Sequence, residues 1–171
     1  MRNLKEGEID LIVGMTRTEE REKIFQYAST PMLRPEMTFA KLISDNSEYA
    51  DKASLKGKTI CSLDGSNSAK NISGIDGIAG MNNAYDIPTC LKILAAGRID
   101  VVYFHHFALL YYLKEMKLGD RIRLVEKPLK TKVYYMCFSK KVNPDTVAEI
   151  DKAAADMIRD GIMKSILDRY R

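Results

Sequence analysis

No apolar run in this chain approaches the ~20 residues that a membrane-spanning helix needs. Its start lacks the basic stretch followed by an apolar one that marks a secretory leader, so the expectation is that its own N-terminus carries no address. Cysteine is scarce: Cys61, Cys90 and Cys137 are odd in number and have no metal-ligand spacing. That argues against a disulfide framework and for buried thiols; a single bridge requires the fold to bring one pair together. The adjacent His105 and His106 cannot make a metal site without other ligands. Charge of one sign never accumulates. The 27 basic and 23 acidic residues are interspersed, and the net +4 is too small and scattered to point to nucleic acid.

What is present is a globular composition, 46% hydrophobic and 29% charged over 171 residues. This length buries a real core in one domain or two small lobes. Strand-like and helix-like segments alternate, which predicts an α/β fold with mainly parallel pairing. Residues 9–13 form a short apolar run suited to a buried strand. Thr18 is placed to cap a short helix whose first turn holds Glu19 and Glu20 at the positive end of the dipole. Strands are expected at 38–44 and 58–63, the second followed by Gly65 and by Ser66, Asn67 and Ser68 as caps. The stretch 77–86 is strand-like but glycine-rich and ambiguous. Asp86 and Pro88 open a helix that Gly97 stops, and a strand over 99–104 leads to a short helix over 108–116. Segments 121–127 and 132–141 are rich in β-branched and aromatic residues. Finally Asn143 caps and Pro144 begins a helix with Val147, Ile150, Ala154, Met157 and Ile158 at helical spacing. Gly161 ends it, and 162–170 add a second short helix.

One corner is written twice. LKEGEIDLIV begins at Leu4 and LAAGRIDVVYF at Leu94, each a helix end, a glycine, Ile-Asp and an apolar run. Two strand–helix modules of related design imply two α/β lobes, one from 33–130 and the other from 1–32 with 131–171, the chain crossing twice.

Only the first copy continues into Gly-Met-Thr-Arg-Thr-Glu-Glu-Arg. Thr16 and Thr18 bring hydroxyls, the helix start brings N–H groups, and Arg21 lies one turn in; together these make a receptor for carboxylate or phosphate. The second lobe repeats the theme at Asp64–Lys70, where Gly65 admits a ligand and the N–H groups of Ser66 to Ser68 point outward. Two such corners facing across a cleft would clamp one small acid. Taken alone, each motif is more often just a capped helix, the first with a solvated arginine.

These segments, with the ending IDKAAADMIRDGIMKSILDRY, resemble family 3 extracellular solute-binding proteins, the type II periplasmic amino-acid-binding group of ABC importers. The resemblance covers nearly the whole chain and implies the two-lobe type II periplasmic-binding fold, with one lobe complete and one truncated. It implies that Arg21 pairs with a ligand carboxylate beside Thr16, while the Gly14 carbonyl accepts from an ammonium group. Ser66, Asn67 and Ser68 would close over the same carboxylate, and an ABC permease would receive the solute in the periplasm or outside the cell. Neither catalysis nor a cofactor is expected.

Two departures from the pattern matter. Where the family usually places an aspartate for the ammonium group, this chain has His105. A neutral imidazole cannot supply that counter-charge, so either the solute is a non-amino carboxylate or other polar solute, or His105 merely lines the cleft. The family's leader and first strand–helix–strand unit also precede the part matched here. The expectation is therefore an uncovered edge at residues 9–13, completed by a partner chain such as a second copy, or partial disorder. Three other functions stay open. One is a sensor domain of a membrane kinase or cyclase, which the ending Asp-Arg-Tyr-Arg without a following span mildly disfavours. Another is a dehydratase-like enzyme with His105, Asp64 or Glu126 as its acid. The last is a chain that binds nothing.

Overall fold

The computed structural model describes residues 1–169; Tyr170, the end of the last expected helix, and Arg171 lie outside the described residues. In chain order, α1 (Arg2–Glu6), β1 (Leu11–Thr16), α2 (Glu19–Glu22) and β2 (Phe25–Tyr27) come first. Then come β3 (Glu36–Leu42), β4 (Thr59–Leu63), α3 (Asn67–Ser73), β5 (Gly80–Ala84) and α4 (Ile87–Ala95). β6 (Val101–His105), α5 (His106–Glu115), β7 (Ile122–Leu124) and β8 (Lys130–Thr131) follow. The described chain closes with β9 (Tyr134–Ser139), α6 (Pro144–Arg159) and α7 (Ile162–Asp168). Two compact units result, Met1–Pro35 with Lys132–Arg171, and Glu36–Thr131.

In the first unit β9 is the central strand of a three-stranded sheet, flanked by β1 and β2, both antiparallel to it. Ala28, Met136 and Phe138 pack against Val147 and Ala154 of α6 on one face, while Leu4, Phe25 and Cys137 fill the other. β1 forms an edge, and Val13 on it is 55% exposed. The expected stripe on α6 is only partly buried. Val147 and Ala154 are covered but Ile158 is exposed, because the stripe runs on past the residues that meet the sheet.

In the second unit the order is β5-β4-β6-β3-β7, with β8 also on β3. Apolar side chains cover both faces, as a central sheet requires. Ala40, Cys61 and Val102 meet Leu91 and Leu94 of α4 and Leu109 and Leu113 of α5. Met37, Phe39, Ile60, Val101 and Tyr103 meet Tyr49, Leu55 and Ile72.

Mainly parallel pairing is not what forms. Only β4–β5 and β4–β6 are parallel, and the other ladders are antiparallel. Parallel neighbours need a crossover helix, and only α3 and α4 serve as such; β3 enters its sheet from the other unit and runs against β6. The cysteine expectation also needs correction. Cys61 on β4 and Cys90 on α4, with Cα atoms 5.6 Å apart, are joined in a disulfide, and only Cys137 is a buried free thiol. Strand–helix packing brings the pair into range, and sequence spacing alone does not reveal that contact.

The repeated corner has one physical origin. After α1 and after α4 the chain turns through a left-handed glycine, Gly7 at φ 75° and Gly97 at φ 67°, a conformation costly for any other residue. Ile-Asp then leads into the strand. The copies differ in burial, since Ile99 is 5% exposed and Ile9 is 40% exposed.

Candidate functional site

The first corner is built by a strand interruption. The β1–β9 register shifts between Val13 and Met15, so Gly14 is the extra residue of a bulge, at φ 91°. Beyond it Thr16 ends the strand and Thr18 caps α2, its hydroxyl accepting from the Arg21 N–H at 3.4 Å. That cap directs Arg21 back along the strand. Its Nη1 donates to the Thr16 carbonyl at 2.9 Å and to the Thr16 Oγ1 at 2.6 Å. The Tyr27 hydroxyl donates to the same carbonyl at 3.1 Å.

The groups around Arg21 do not neutralise it. Burial pushes the Tyr27 hydroxyl well above its ordinary range, helped by Cys137 and opposed by Arg21. Burial likewise raises Tyr134 and the Cys137 thiol, each moderated by Arg21. All three are therefore neutral near pH 7, and Arg21 has no ion pair with a carboxylate among the described residues. The result is a half-buried guanidinium, anchored through one nitrogen and lacking a counter-charge. Such a group binds a carboxylate strongly, because its other donors form a planar fork.

The second corner differs in kind. The Ser66 hydroxyl accepts from the Ala69 N–H at 3.0 Å and so caps α3. Asn67 opens that helix, and Ser68 is 3% exposed, its side chain turned into the unit. His105 ends β6, a parallel neighbour of β4, so both strands finish at the same end of the sheet, where α/β proteins hold ligands. His105 also has a structural duty: its Nδ1 accepts from the Ala108 N–H at 3.3 Å and caps α5. With Nδ1 as acceptor, the ring proton of the neutral form sits on Nε2. His106 similarly accepts from the Glu36 N–H at 3.1 Å.

Arg21, Thr16 and Gly14 thus lie together in the first unit, with Ser66, Asn67, Ser68 and His105 in the second. Sequence reasoning missed Tyr27, Tyr134 and Cys137 as the surroundings of Arg21. Tyr134 and Cys137 lie on an expected strand, but Tyr27 sits on the three-residue β2, too short to show a period.

The model of bacterial extracellular solute-binding proteins, family 3, matches residues 1–171. The chain belongs to that family. Its members include relatives named for amino acids. It is 26% identical over 174 residues to the probable amino-acid-binding protein YxeM of Bacillus subtilis (strain 168). That match takes in 99% of this chain and 64% of YxeM, so the chain spans less than two thirds of that relative's length. An ancestral arginine-binding protein bound to arginine is 25% identical with a TM-score of 0.85, covering 99% of this chain and 74% of that one. A mutant of ArgBP from T. maritima is 20% identical with a TM-score of 0.86, covering 99% and 72%, which establishes the shared fold. The family fold is the type II periplasmic-binding fold, and the coverage fits one complete lobe and one truncated lobe.

Proposed function

We propose that this chain captures a small carboxylate-bearing solute, an amino acid or related acid, and delivers it to the permease of an ABC importer. The observation that carries this reading is the uncompensated Arg21 guanidinium held by Thr16. The names of the family relatives support the solute class. In this reading the ligand carboxylate takes the remaining Arg21 donors and the Gly14 carbonyl accepts from the solute. Within the second unit, the start of α3 at Ser66, Asn67 and Ser68 offers donors of the same kind. His105, committed at Nδ1 to its helix, gives no negative charge for an ammonium group, so acids without one are included.

The Cys61–Cys90 bridge supports a periplasmic or extracellular location, because such bridges persist in oxidising compartments. The open edge of β1 supports a further proposal, that a second copy of the chain pairs there and completes the first lobe. Gel filtration over a wide concentration range tests it, and a compact monomer throughout overturns it.

Thermal-shift screening against amino acids and small carboxylates tests the main reading. At a hundred times its dissociation constant a ligand adds about 2.7 kcal/mol, or roughly 5–10 °C in Tm for a chain of this size. The response is expected to vanish in Arg21→Ala at the same concentrations. A ligand that stabilises both proteins equally removes the role of Arg21.

A further inference from the structure

The second unit holds a cavity of about 390 Å³ whose lining includes Lys41, Ser47, Tyr49, Arg123, Glu126 and Lys127. Within that unit it lies away from His105. On β3, Met37 is level with His105, whereas Lys41 is level with Val101 at the other end of β6. The volume is within the range of small-molecule sites.

Its charges are unusually arranged. Lys41 is only 6% exposed, yet its ammonium has one hydrogen-bond acceptor, the Ser47 carbonyl, and lies 5.6 Å from the centre of the Tyr49 ring. The nearby Asp45 carboxylate accepts from the Tyr49 hydroxyl at 2.6 Å and the Ser47 N–H at 2.8 Å, and makes no ion pair with Lys41 among the described residues. The second ammonium over the Tyr49 ring, Lys58, has its own partner in Asp100 at 3.6 Å. Directly opposite Lys41 in the antiparallel β3–β7 register stands Arg123, on the same face. Like charges in directly opposed positions repel. Glu48 and Glu126 also line the cavity, but among the described residues neither they nor Lys41, Arg123 and Lys127 form an ion pair. A buried cation without a counter-ion is costly, and here a second cation is set against it.

We propose that this cavity is a binding site for a small oxyanion, a carboxylate or phosphate group, held between Lys41 and Arg123 with Lys127 at its mouth. The anion supplies the direct ion pair that no carboxylate among the described residues makes with Lys41 or Arg123, and offsets the cross-strand repulsion. The site is built from residues of the second unit alone, whereas Arg21 belongs to the first, and it does not rest on the function proposed for that residue.

Titration calorimetry and thermal shift with sodium phosphate and with citrate, each against sodium chloride of equal ionic strength, test the proposal. At least one oxyanion is expected to bind saturably and raise Tm. A response to phosphate alone marks a phosphate-group site, and a response to citrate alone a carboxylate site. Both arms are run in the Arg21→Ala background, which removes the first corner as an anion receptor; there binding should persist, and weaken at least tenfold when Arg123→Gln or Lys41→Met is added. Arg123 is exposed, so its variant keeps the test decisive if Lys41→Met does not fold. No response beyond chloride in the Arg21→Ala background, or undiminished binding when Arg123→Gln is added to it, each overturns it.

Discussion

Removing the Cys61–Cys90 bridge by the double substitution Cys61→Ala/Cys90→Ala should destabilise the protein strongly. The bridge ties β4 to α4 inside the second unit's core, both residues are 0% exposed, and they stand 29 positions apart. Closing a loop of that length in the unfolded chain is worth about 3.5 kcal/mol in the chain-entropy account. Two buried sulfurs lost from a packed core add a smaller cavity cost of the same sign. At roughly 2–4 °C per kcal/mol for a chain of this size, Tm should fall by about 7–14 °C. Substitution is a cleaner perturbation than reductant, because a bridge with no exposed surface is shielded from thiols while the unit stays folded. Differential scanning calorimetry of parent and variant gives the shift, and alkylation of the unfolded, unreduced parent counts thiols by mass. One alkylated cysteine, Cys137, is expected. Three alkylated cysteines, or a variant within about 2 °C of its parent, would refute the reasoning.

Other perturbations probe the first unit. Asp151 on α6 accepts the N–H groups of Ser29 and Thr30 at 2.9 Å each; burial opposes ionisation, but these bonds outweigh it and hold the carboxyl below its ordinary value. Its contribution is therefore present above the unfolded value near pH 4 and is lost as pH falls through the lower folded value. Urea titrations should show Asp151→Asn less stable by about 1–3 kcal/mol at pH 7, with the gap closing below pH 4. Gly14→Ala forces a side chain onto φ 91°; the nearest atom to the new Cβ is Tyr134 Cδ2 at 3.7 Å, so the cost is backbone strain. Chemical denaturation should register about 1–2 kcal/mol. Arg21→Lys keeps the charge but loses the planar fork, so solute affinity should fall at least tenfold in calorimetry without a change in unfolding midpoint.

Much of the local architecture was legible because side chains that decide local geometry are local signals. Thr18, Ser66, Asp86 and Asn143 each cap the helix that follows, through a side-chain oxygen accepting a backbone N–H. Gly97 and Gly161 turn the chain after α4 and α6 with φ of 67° and 75°. What the sequence hid depends on distant parts meeting. β2 and β8 are two or three residues long and exist only because β9 and β3 offer them a ladder. The bulge at Gly14 appears only when β1 is laid against β9. At the site, Arg21 and Thr16 could be paired from spacing, but Tyr134 and Cys137 come from a strand far along the chain and Tyr27 from one too short to show a period. His105 was legible as a departure from the family pattern; its capping of α5 was not, since histidine is a rare cap.

The account's central claim is that the Arg21 guanidinium holds the carboxylate of the captured solute. A double-mutant cycle measures this contact itself: calorimetric affinities of the best-binding solute and its neutral amide analogue, for the parent protein and for Arg21→Ala. The account predicts that either change alone weakens binding by about 2–4 kcal/mol and that the second change then adds little, a coupling of about 2 kcal/mol or more. Additive losses, with a coupling near zero, would contradict it.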